Sequence, residues 1–274
     1  MTSSVRRPSE DGPTAVQAMA PLPGQAGGTH SVLDRTFRLL CVFTLDQPEL
    51  TLGELTALTG IPRTTVYRLA GELVSRRVLD HSNGRYRLGP QLFELGERVP
   101  RLRSVRNRIR PFLRELRERT DCTVVLGVLD RDEVLYLLEA AISRSPSTAL
   151  RDGQRIPVHC TAIGKVLLAY SGRPTIDRIA ATGLPRYTRA TIVGAGLLRS
   201  ELGRIRSQGY GTEYEEFRYG YASVAAPVTD AEGNVTAAIA LENELARGDP
   251  GRFAPLLRAV ATRVSIRELT PGES

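Results

Sequence analysis

The sequence TLGELTALTGIPRTTVYRLAGEL, residues 51–73, predicts two short helices joined by a tight turn. Thr51 and Glu54 have the spacing of a capping box, in which each side chain bonds the backbone N–H of the other residue. The first helix is therefore expected to begin at Leu52. Pro62 favours the start of a second helix, because the N–H that proline lacks has no helical partner in a first turn. Together these signals indicate a helix-turn-helix arrangement.

Each predicted helix has one apolar side and one polar side. Leu52, Leu55 and Leu58 are expected to form the apolar side of the first helix. In the second helix apolar residues recur with the spacing of one buried stripe, at Val66, Leu69, Ala70 and Leu73. Its opposite side carries groups that hydrogen-bond base edges and phosphates, namely Arg63, Thr64, Tyr67 and Arg68. A DNA-recognition helix is one interpretation, and an ordinary helical hairpin with a solvated face is the alternative.

A β-hairpin signal follows this stretch, and it favours DNA binding. Asn83-Gly84 separates two extended runs, residues 78–81 and 85–88, which is a strong indication of a β-hairpin. A hairpin placed after a helix-turn-helix makes a winged helix. Arg85 on that wing is expected to meet phosphate.

Residues 31–45 predict a preceding helix with apolar residues on more than one side. Leu33 and Phe37 belong to one side, whereas Leu39 and Phe43 belong to another. Only one of these sides faces its own domain, so the other needs a second surface to cover it. A partner subunit is the natural candidate, which predicts at least a homodimer.

Three segments carry a resemblance to a known family: SVLDRTFRLL (residues 31–40), LTLGELTALTGIPRTTVYRLAGELVSRRVL (50–79) and YRLGPQLFELG (86–96). They resemble the DNA-binding half of the IclR family of bacterial transcriptional regulators. The resemblance implies a recognition helix in the major groove and a dimer that reads a pseudo-palindromic DNA operator. The recognition roles would fall on Arg63, Thr64, Thr65, Tyr67 and Arg68.

Length and composition indicate a globular protein with two domains. The 274 residues are 41% hydrophobic and 24% charged, and the net charge of +7 is concentrated around and just after the predicted winged helix. No apolar run approaches the roughly 20 residues that cross a bilayer. The N-terminus lacks the apolar region of a secretory signal, and three scattered cysteines do not suggest a disulfide framework. These observations predict a cytoplasmic protein without membrane association.

The second half of the chain predicts an antiparallel sheet covered by helices. Residues 122–129 and 133–138 read as two strands around a turn, and further strands alternate with helices up to residue 268. RIPVHCTAIGKVLLA (155–169) and GYGTEYEEFRYGYASVAAPV (209–228) resemble motifs of the same family. The expected fold class is therefore α+β, with an N-terminal winged helix-turn-helix joined by a helix to a C-terminal GAF-like α/β effector-binding domain.

The resemblance also implies a small-molecule effector between the sheet and the loops above it. Carried over by position, its lining would be Ala162, Ile163, Glu213, Ser223, Ala240 and Glu242. Members of the family often carry small hydroxyl residues at the positions of Ala240 and Glu242. Two carboxylates beside an apolar pocket predict an effector that is neutral or has a cationic or hydroxylated end. Solvated strand ends are the alternative interpretation of Glu213 and Glu242.

The expected organisation is a disordered tail (residues 1–29), a winged-helix DNA-binding domain (30–89), a linker helix (90–110) and an effector-binding and oligomerisation domain (111–272). The predicted function is sequence-specific DNA binding that regulates transcription under the control of a metabolite. The predicted partners are a double-stranded DNA operator, a small-molecule effector and further copies of the chain, in a homodimer or homotetramer.

Catalysis is the main alternative that the sequence raises. His159 and Cys160 invite it, but adjacent residues point apart and no other Cys or His lies at a useful spacing. We therefore expect no enzymatic activity, metal site or cofactor. The alternatives left open are a metabolite-binding enzyme with an accessory winged helix, and a DNA-binding architectural protein without an effector. The enzyme would need a nucleophile–base pair or a set of metal ligands, and a ligand-dependent change in operator affinity separates the architectural protein from a sensor.

Overall fold

The computed structural model describes residues 31–44, 46–140 and 153–266. The predicted tail at 1–29 lies outside these residues, as does most of 143–153, whose polar sequence predicts a loop or an edge strand. The chain divides between Gly96 and Glu97 into two compact units.

The first unit is a winged helix built on a small antiparallel sheet with strand order β1-β3-β2. Its elements are α1 (Val32–Cys41), β1 (Glu49–Thr51), α2 (Leu52–Thr59), α3 (Arg63–Ser75), β2 (Leu79–Ser82), β3 (Arg85–Leu88) and α4 (Pro90–Glu97). Its core joins all three of the first helices to the sheet, with fully buried side chains at Leu39, Leu55, Val66 and Leu79. Strand β1 was not predicted, because three residues are too few to show an alternating pattern.

Helix α2 begins where the capping box predicts. The Thr51 hydroxyl accepts from the Glu54 N–H at 3.3 Å, and the Thr51 N–H donates to Glu54 Oε2 at 2.7 Å. The prediction for Leu58 was wrong, because its side chain is 53% exposed. Thr59 faces the core instead and donates its hydroxyl to the Leu55 carbonyl at 2.6 Å. This bond removes the cost of burying a hydroxyl, so Thr59 fills the inward position.

Helix α1 has the two apolar sides that the sequence predicts. Leu39 and Phe43, which follows the helix, are buried in the core. Val32, Leu33 and Phe37 are between 53% and 64% exposed in the chain alone. The helix ends at Cys41, earlier than the predicted 31–45.

The wing is confirmed as a tight hairpin. Ser82 pairs with Arg85, and Asn83 and Gly84 between them have φ values of 51° and 73°. Positive φ at both central residues is the signature of a type I′ turn, which Asn-Gly adopts readily.

The second unit is a six-stranded antiparallel sheet with order β6-β5-β4-β9-β8-β7 and helices on both faces. Its strands are β4 (Thr123–Asp130), β5 (Glu133–Ala140), β6 (Arg155–Pro157), β7 (Gly211–Tyr214), β8 (Tyr221–Thr229) and β9 (Val235–Glu244). Its helices are α5 (Pro100–Thr120), α6 (Ala162–Ala169), α7 (Arg173–Ala181), α8 (Ala195–Gln208) and α9 (Ala254–Ile266). Helices α5 and α9 share a core with one sheet face, and α6, α7 and α8 share a core with the other.

The predicted single linker helix over 90–110 is replaced by two helices. Helix α4 ends at Glu97, and α5 begins at Pro100. Val99 between them is extended, with φ −80° and ψ 100°. A residue before proline is driven out of the helical region by the proline ring, so the interruption follows from Pro100.

The two faces of the sheet differ in side-chain size. Along β9, Ile239 and Leu241 pack in the core beneath α5 and α9, whereas Ala238 and Ala240 face α6. The small alanine side chains let α6 approach the sheet closely. A methyl group added at Gly164 would lie 2.5 Å from the Val158 backbone, so the first turn of α6 touches the preceding segment without spare room.

Candidate functional site

The polar side of α3 is free of the core. Arg63, Thr64, Tyr67 and Arg68 are exposed, and Tyr67 is 65% exposed despite its large ring. Thr65 is half-buried. The opposite stripe, predicted from spacing, is buried as a whole. Helix α3 thus presents hydrogen-bonding groups on a rigid support, which is what base readout requires.

Ion pairs modulate the charge of this surface. Arg68 Nη1 lies 2.9 Å from Glu72 Oε1 one turn later, so this guanidinium is partly neutralised. On the wing, Arg85 Nη1 lies 3.8 Å from Glu54 Oε2. Hydrogen bonds from Thr51, and then the Arg85 charge, lower the pKa of Glu54. Arg63 has no ion pair among the described residues.

The structure brings several predicted effector residues together at one end of the sheet. Glu213 pairs with Ser223 across β7 and β8, and Ser223 pairs with Glu242 across β8 and β9. Strand β9 continues beyond Glu242 to Glu244. Glu242 is therefore inside the strand, in line with Ser223.

Glu213 is fully engaged by the protein itself. Its Oε2 accepts from the Ser223 hydroxyl at 3.0 Å, and its Oε1 accepts from the N–H groups of Glu216 at 2.7 Å and Phe217 at 3.3 Å. Burial raises its pKa to about 7 against these hydrogen bonds, and the Glu242 charge adds to the rise. This carboxyl fixes the start of the loop that follows β7.

Glu242 keeps a partly accessible side chain. The Tyr136 hydroxyl donates to its Oε1 at 2.8 Å. Desolvation raises the pKa of Glu242, while the Arg218 charge and the Tyr136 hydrogen bond lower it. Arg218 itself stacks over the Tyr221 ring, with the guanidinium carbon 4.1 Å from the ring centroid. Glu242 is thus the most exposed of the six predicted effector residues.

The three apolar residues of the predicted site lie in the core. Ala162, Ile163 and Ala240 are at most 1% exposed, between α6 and the sheet. Thr161 caps that helix by accepting from the Gly164 N–H at 3.2 Å. These residues form an apolar layer beside the polar row of Glu213, Ser223 and Glu242.

Lys165, the only lysine of the sequence, has partners that lie far from it along the chain. Its side chain is 1% exposed, and its Nζ contacts Glu216 Oε1 and lies 3.7 Å from Glu201 Oε1. Glu216 Oε2 is buried without a hydrogen-bond partner among the described residues. Burial raises the pKa of Glu216, and the lysine charge opposes the rise. The cluster ties α6 and α8 to the loop after β7.

His159 and Cys160 are not arranged for catalysis. His159 Nε2 lies 2.9 Å from the Pro185 carbonyl oxygen, and burial lowers the pKa of its imidazole. Cys160 is completely buried, and its thiol pKa is raised by burial and by the nearby Glu213 charge. A reactive cysteine needs the opposite shift. In the described ranges no group of His, Cys, Asp and Glu is placed to hold a metal ion, and no helix has the length and apolarity to span a membrane.

A winged helix with an exposed polar recognition helix, followed by a separate helix-covered sheet, defines a class of protein: DNA-binding transcriptional regulators with a sensor-type second domain. Comparison with known proteins narrows the class. The family described as Bacterial transcriptional regulator IclR C-terminal matches residues 100–266, and the IclR helix-turn-helix domain matches residues 32–82. The chain belongs to the IclR family, which confirms the resemblance and the predicted fold class.

Individual relatives agree over most of the chain. The HTH-type transcriptional regulator XynR of Escherichia coli is 33% identical over 225 residues, which are 81% of this chain and 89% of the relative. BhcR of Paracoccus denitrificans is 30% identical over 259 residues, 91% and 92% of the two chains. A crystal structure of an IclR homolog from Microbacterium hydrocarbonoxydans, complexed with 4-hydroxybenzoate, has a TM-score of 0.81 at 26% identity and covers 87% and 99%. The chain is a metabolite-controlled DNA-binding transcriptional regulator.

Proposed function

We propose that this regulator binds its operator through α3 and the wing, with Arg63, Thr64, Thr65, Tyr67 and Arg68 at the bases and adjoining phosphates and Arg85 at the flanking phosphates. The observation that carries this proposal is the exposure of Tyr67 and its polar neighbours directly opposite a fully buried stripe. The buried stripe fixes the orientation of the helix, so the same polar side chains always face outward. Sequence preference would follow from the hydrogen bonds that these side chains form with the base edges.

Dimerisation is supported by the outer side of α1. Val32, Leu33 and Phe37 lie on one helix and are all more than half exposed. A second copy of the chain would bury them by two-fold symmetry and would present two recognition helices to a pseudo-palindromic operator. Association of two dimers through the second unit would give a homotetramer. The functional form would reside in the cytoplasm, where its DNA is.

The effector is proposed to contact the polar row at the end of the sheet. Glu242 is the half-buried carboxylate of the row, Ser223 and Glu213 follow it on the neighbouring strands, and Ala162, Ile163 and Ala240 form the apolar side. The 4-hydroxybenzoate in the relative from Microbacterium hydrocarbonoxydans supports a small-molecule site in this fold. Because carboxylates line the row, the effector is expected to be neutral or to direct a hydroxyl or cationic group at Glu242.

No enzymatic activity is proposed. The family consists of transcriptional regulators, and the Cys160 thiol is held in its protonated form by burial. An effector that changes operator affinity would separate the proposal from a purely architectural role, since only a ligand that prefers one state shifts that equilibrium.

Operator binding by surface variants tests the DNA contact. The operator is first selected from random duplexes, and its affinity is measured by fluorescence anisotropy for Arg63→Ala and Tyr67→Ala. Each substitution is expected to cost about 1–3 kcal/mol of operator-specific binding. Tyr219→Ala is the matched control, because Tyr219 is 60% exposed in the other unit. Unchanged operator affinity in both α3 variants would contradict the proposed interface.

A further inference from the structure

A groove on the second unit has no part in the function proposed above. It lies between α7 and α8 beside the C-terminal end of α6, is open to solvent on one side, and has a volume of about 570 Å³. Small-molecule sites in proteins occupy roughly 300–1,000 Å³. Its apolar floor includes Ala169, Ile176 and Leu202, none more than 9% exposed. The remaining lining residues are Tyr170, Ser171, Arg173, Asp177, Arg199 and Arg206.

Helical spacing aligns the charged and apolar members of this groove. On α8, Arg199, Leu202 and Arg206 fall at i, i+3 and i+7, so two guanidinium groups flank one buried leucine on a single side of the helix. The same side of α8 therefore combines an apolar surface with two cationic ends. Such a combination suits a ligand that has both an acidic group and an apolar body.

The positive charge of the groove exceeds its negative charge. Asp177 is the carboxylate among the lining residues, and it lies 2.9 Å from Arg199 Nη2 and 3.8 Å from Arg173 Nε. Arg206 Nη1 donates to the Ala169 carbonyl at 2.9 Å, and no carboxylate of the described residues forms an ion pair with Arg206. Arg173 begins α7, so the positive end of that helix dipole adds to the same side.

We propose that this groove binds a small organic anion with a planar apolar body. The acidic group of the ligand contacts Arg199 and Arg206. Arg199 then pairs with the ligand and no longer with Asp177. The body rests on Leu202 and Ile176. The aromatic side chain of Tyr170, which is 37% exposed, covers one edge of the body. The groove gives the regulator a second small-molecule input at a place other than the row of Glu213, Ser223 and Glu242.

Two fluorescent dyes that share a body but differ in charge test the proposal on the full chain. The anionic probe is 1-anilinonaphthalene-8-sulfonate, and the neutral probe is N-phenyl-1-naphthylamine. We expect the anion to bind at least tenfold more tightly. Arg199→Gln should weaken its binding about tenfold, because a hydrogen bond to a charged group is lost. Asp177→Asn should strengthen binding severalfold, because it removes the competing carboxylate.

Matched variants keep the result interpretable. Arg114→Gln removes one charge from an arginine of α5 that is 82% exposed, and it should leave anion binding unchanged. Ser171→Phe keeps every charge and fills the groove, so it should abolish binding. Equal affinity for the two dyes, or a titration of Arg199→Gln or Ser171→Phe that matches the unmodified protein, would overturn the proposal.

Discussion

The recognition surface of α3 and the polar end of the six-stranded sheet use polar residues in opposite ways. On α3, Arg63, Thr64 and Tyr67 stand away from the core on a helix whose other side does the packing. At the sheet, the Ser223 hydroxyl donates to Glu213, and Glu213 also accepts from the backbone N–H of Glu216. The polar groups of α3 are available to an outside partner, whereas Glu213 and Ser223 hold the loop that follows β7. Mutations should therefore change binding in the first region and stability in the second.

Breaking the buried cluster around Lys165 should have the largest effect. Lys165→Met removes the cation that faces the buried Glu216 and is expected to destabilise the chain by about 3–5 kcal/mol. Urea unfolding measures this loss. Arg68→Met, which breaks an ion pair with both side chains more than half exposed, should cost at most ~1 kcal/mol.

The double variant Lys165→Met/Glu216→Gln separates charge from packing. It removes the orphaned carboxylate as well as its partner, so it should be more stable than Lys165→Met alone. A double variant as unstable as the single one would show that the lysine acts through its packing and not its charge.

Glu213 should give the second unit a dependence of stability on pH. Its folded pKa of about 7 lies above the reference value of 4.5, so the folded state holds a proton that the unfolded state releases in this window. Stability should fall as pH rises from about 4.5 through 7, by at most ~3 kcal/mol from this group. Glu213→Gln keeps the side-chain shape and should flatten that part of the profile.

Unfolding midpoints at pH 5 and pH 8 measure the Glu213 effect. Burial also raises the pKa values of Glu216 and Glu242, and it lowers that of His159, whose contribution to the pH dependence has the opposite sign. The difference between the profiles of the variant and the unmodified protein therefore isolates the contribution of Glu213. Parallel profiles for the two proteins would show that Glu213 does not titrate in this window.

Glu242 tests whether the sheet end also serves an outside ligand. If the effector contacts its carboxylate, Glu242→Gln should weaken the effector response about tenfold or more, since a hydrogen bond to a charged group is worth about 1.5–3 kcal/mol. Operator affinity without effector should stay the same. The measurement is an effector titration of operator-bound protein, using the metabolite that a thermal-shift screen identifies. An unaltered response would show that Glu242 does not contact the effector and serves the protein itself, as the acceptor of the Tyr136 hydroxyl.

Arg85 on the wing should show the smallest effect. Arg85→Ala is expected to weaken all DNA sequences to a similar extent and to reduce the slope of log affinity against log salt by about 1. Affinities for the operator and for random DNA at several salt concentrations provide the test. A loss confined to the operator would move Arg85 from phosphate contact to base readout.

Features that depend on neighbouring residues could be predicted from the sequence, whereas contacts between distant residues could not. The buried stripe of α3, the capping box at Thr51 and the Asn83-Gly84 turn all depend on residues a few positions apart, so local spacing is enough to find them. Lys165 meets Glu216 across 51 positions, and only the folded sheet shows that they are neighbours.

Two local predictions failed for identifiable reasons. Leu58 faces solvent, and the next residue, Thr59, takes the buried position instead. The Thr59 hydroxyl can be buried because it donates to the Leu55 carbonyl of the same helix. The linker was predicted as one helix over 90–110, whereas Pro100 forces Val99 into an extended conformation between two helices. The contacts proposed for DNA and effector stay predictions, since spacing places a side chain but does not identify what it binds.

The tight approach of α6 to its surroundings also limits how this protein can evolve. A side chain at Gly164 would collide with the Val158 backbone, and one at Gly127 would lie 2.7 Å from Val134 and 3.0 Å from Ile163. Gly71 and Gly196, in contrast, have open space where a methyl group would go. In a saturation library we would expect the first pair to accept almost no substitution and the second pair to accept alanine freely. New ligand preferences would then arise from substitutions at the rim of the sheet, while the packing of α6 on the sheet stays the same.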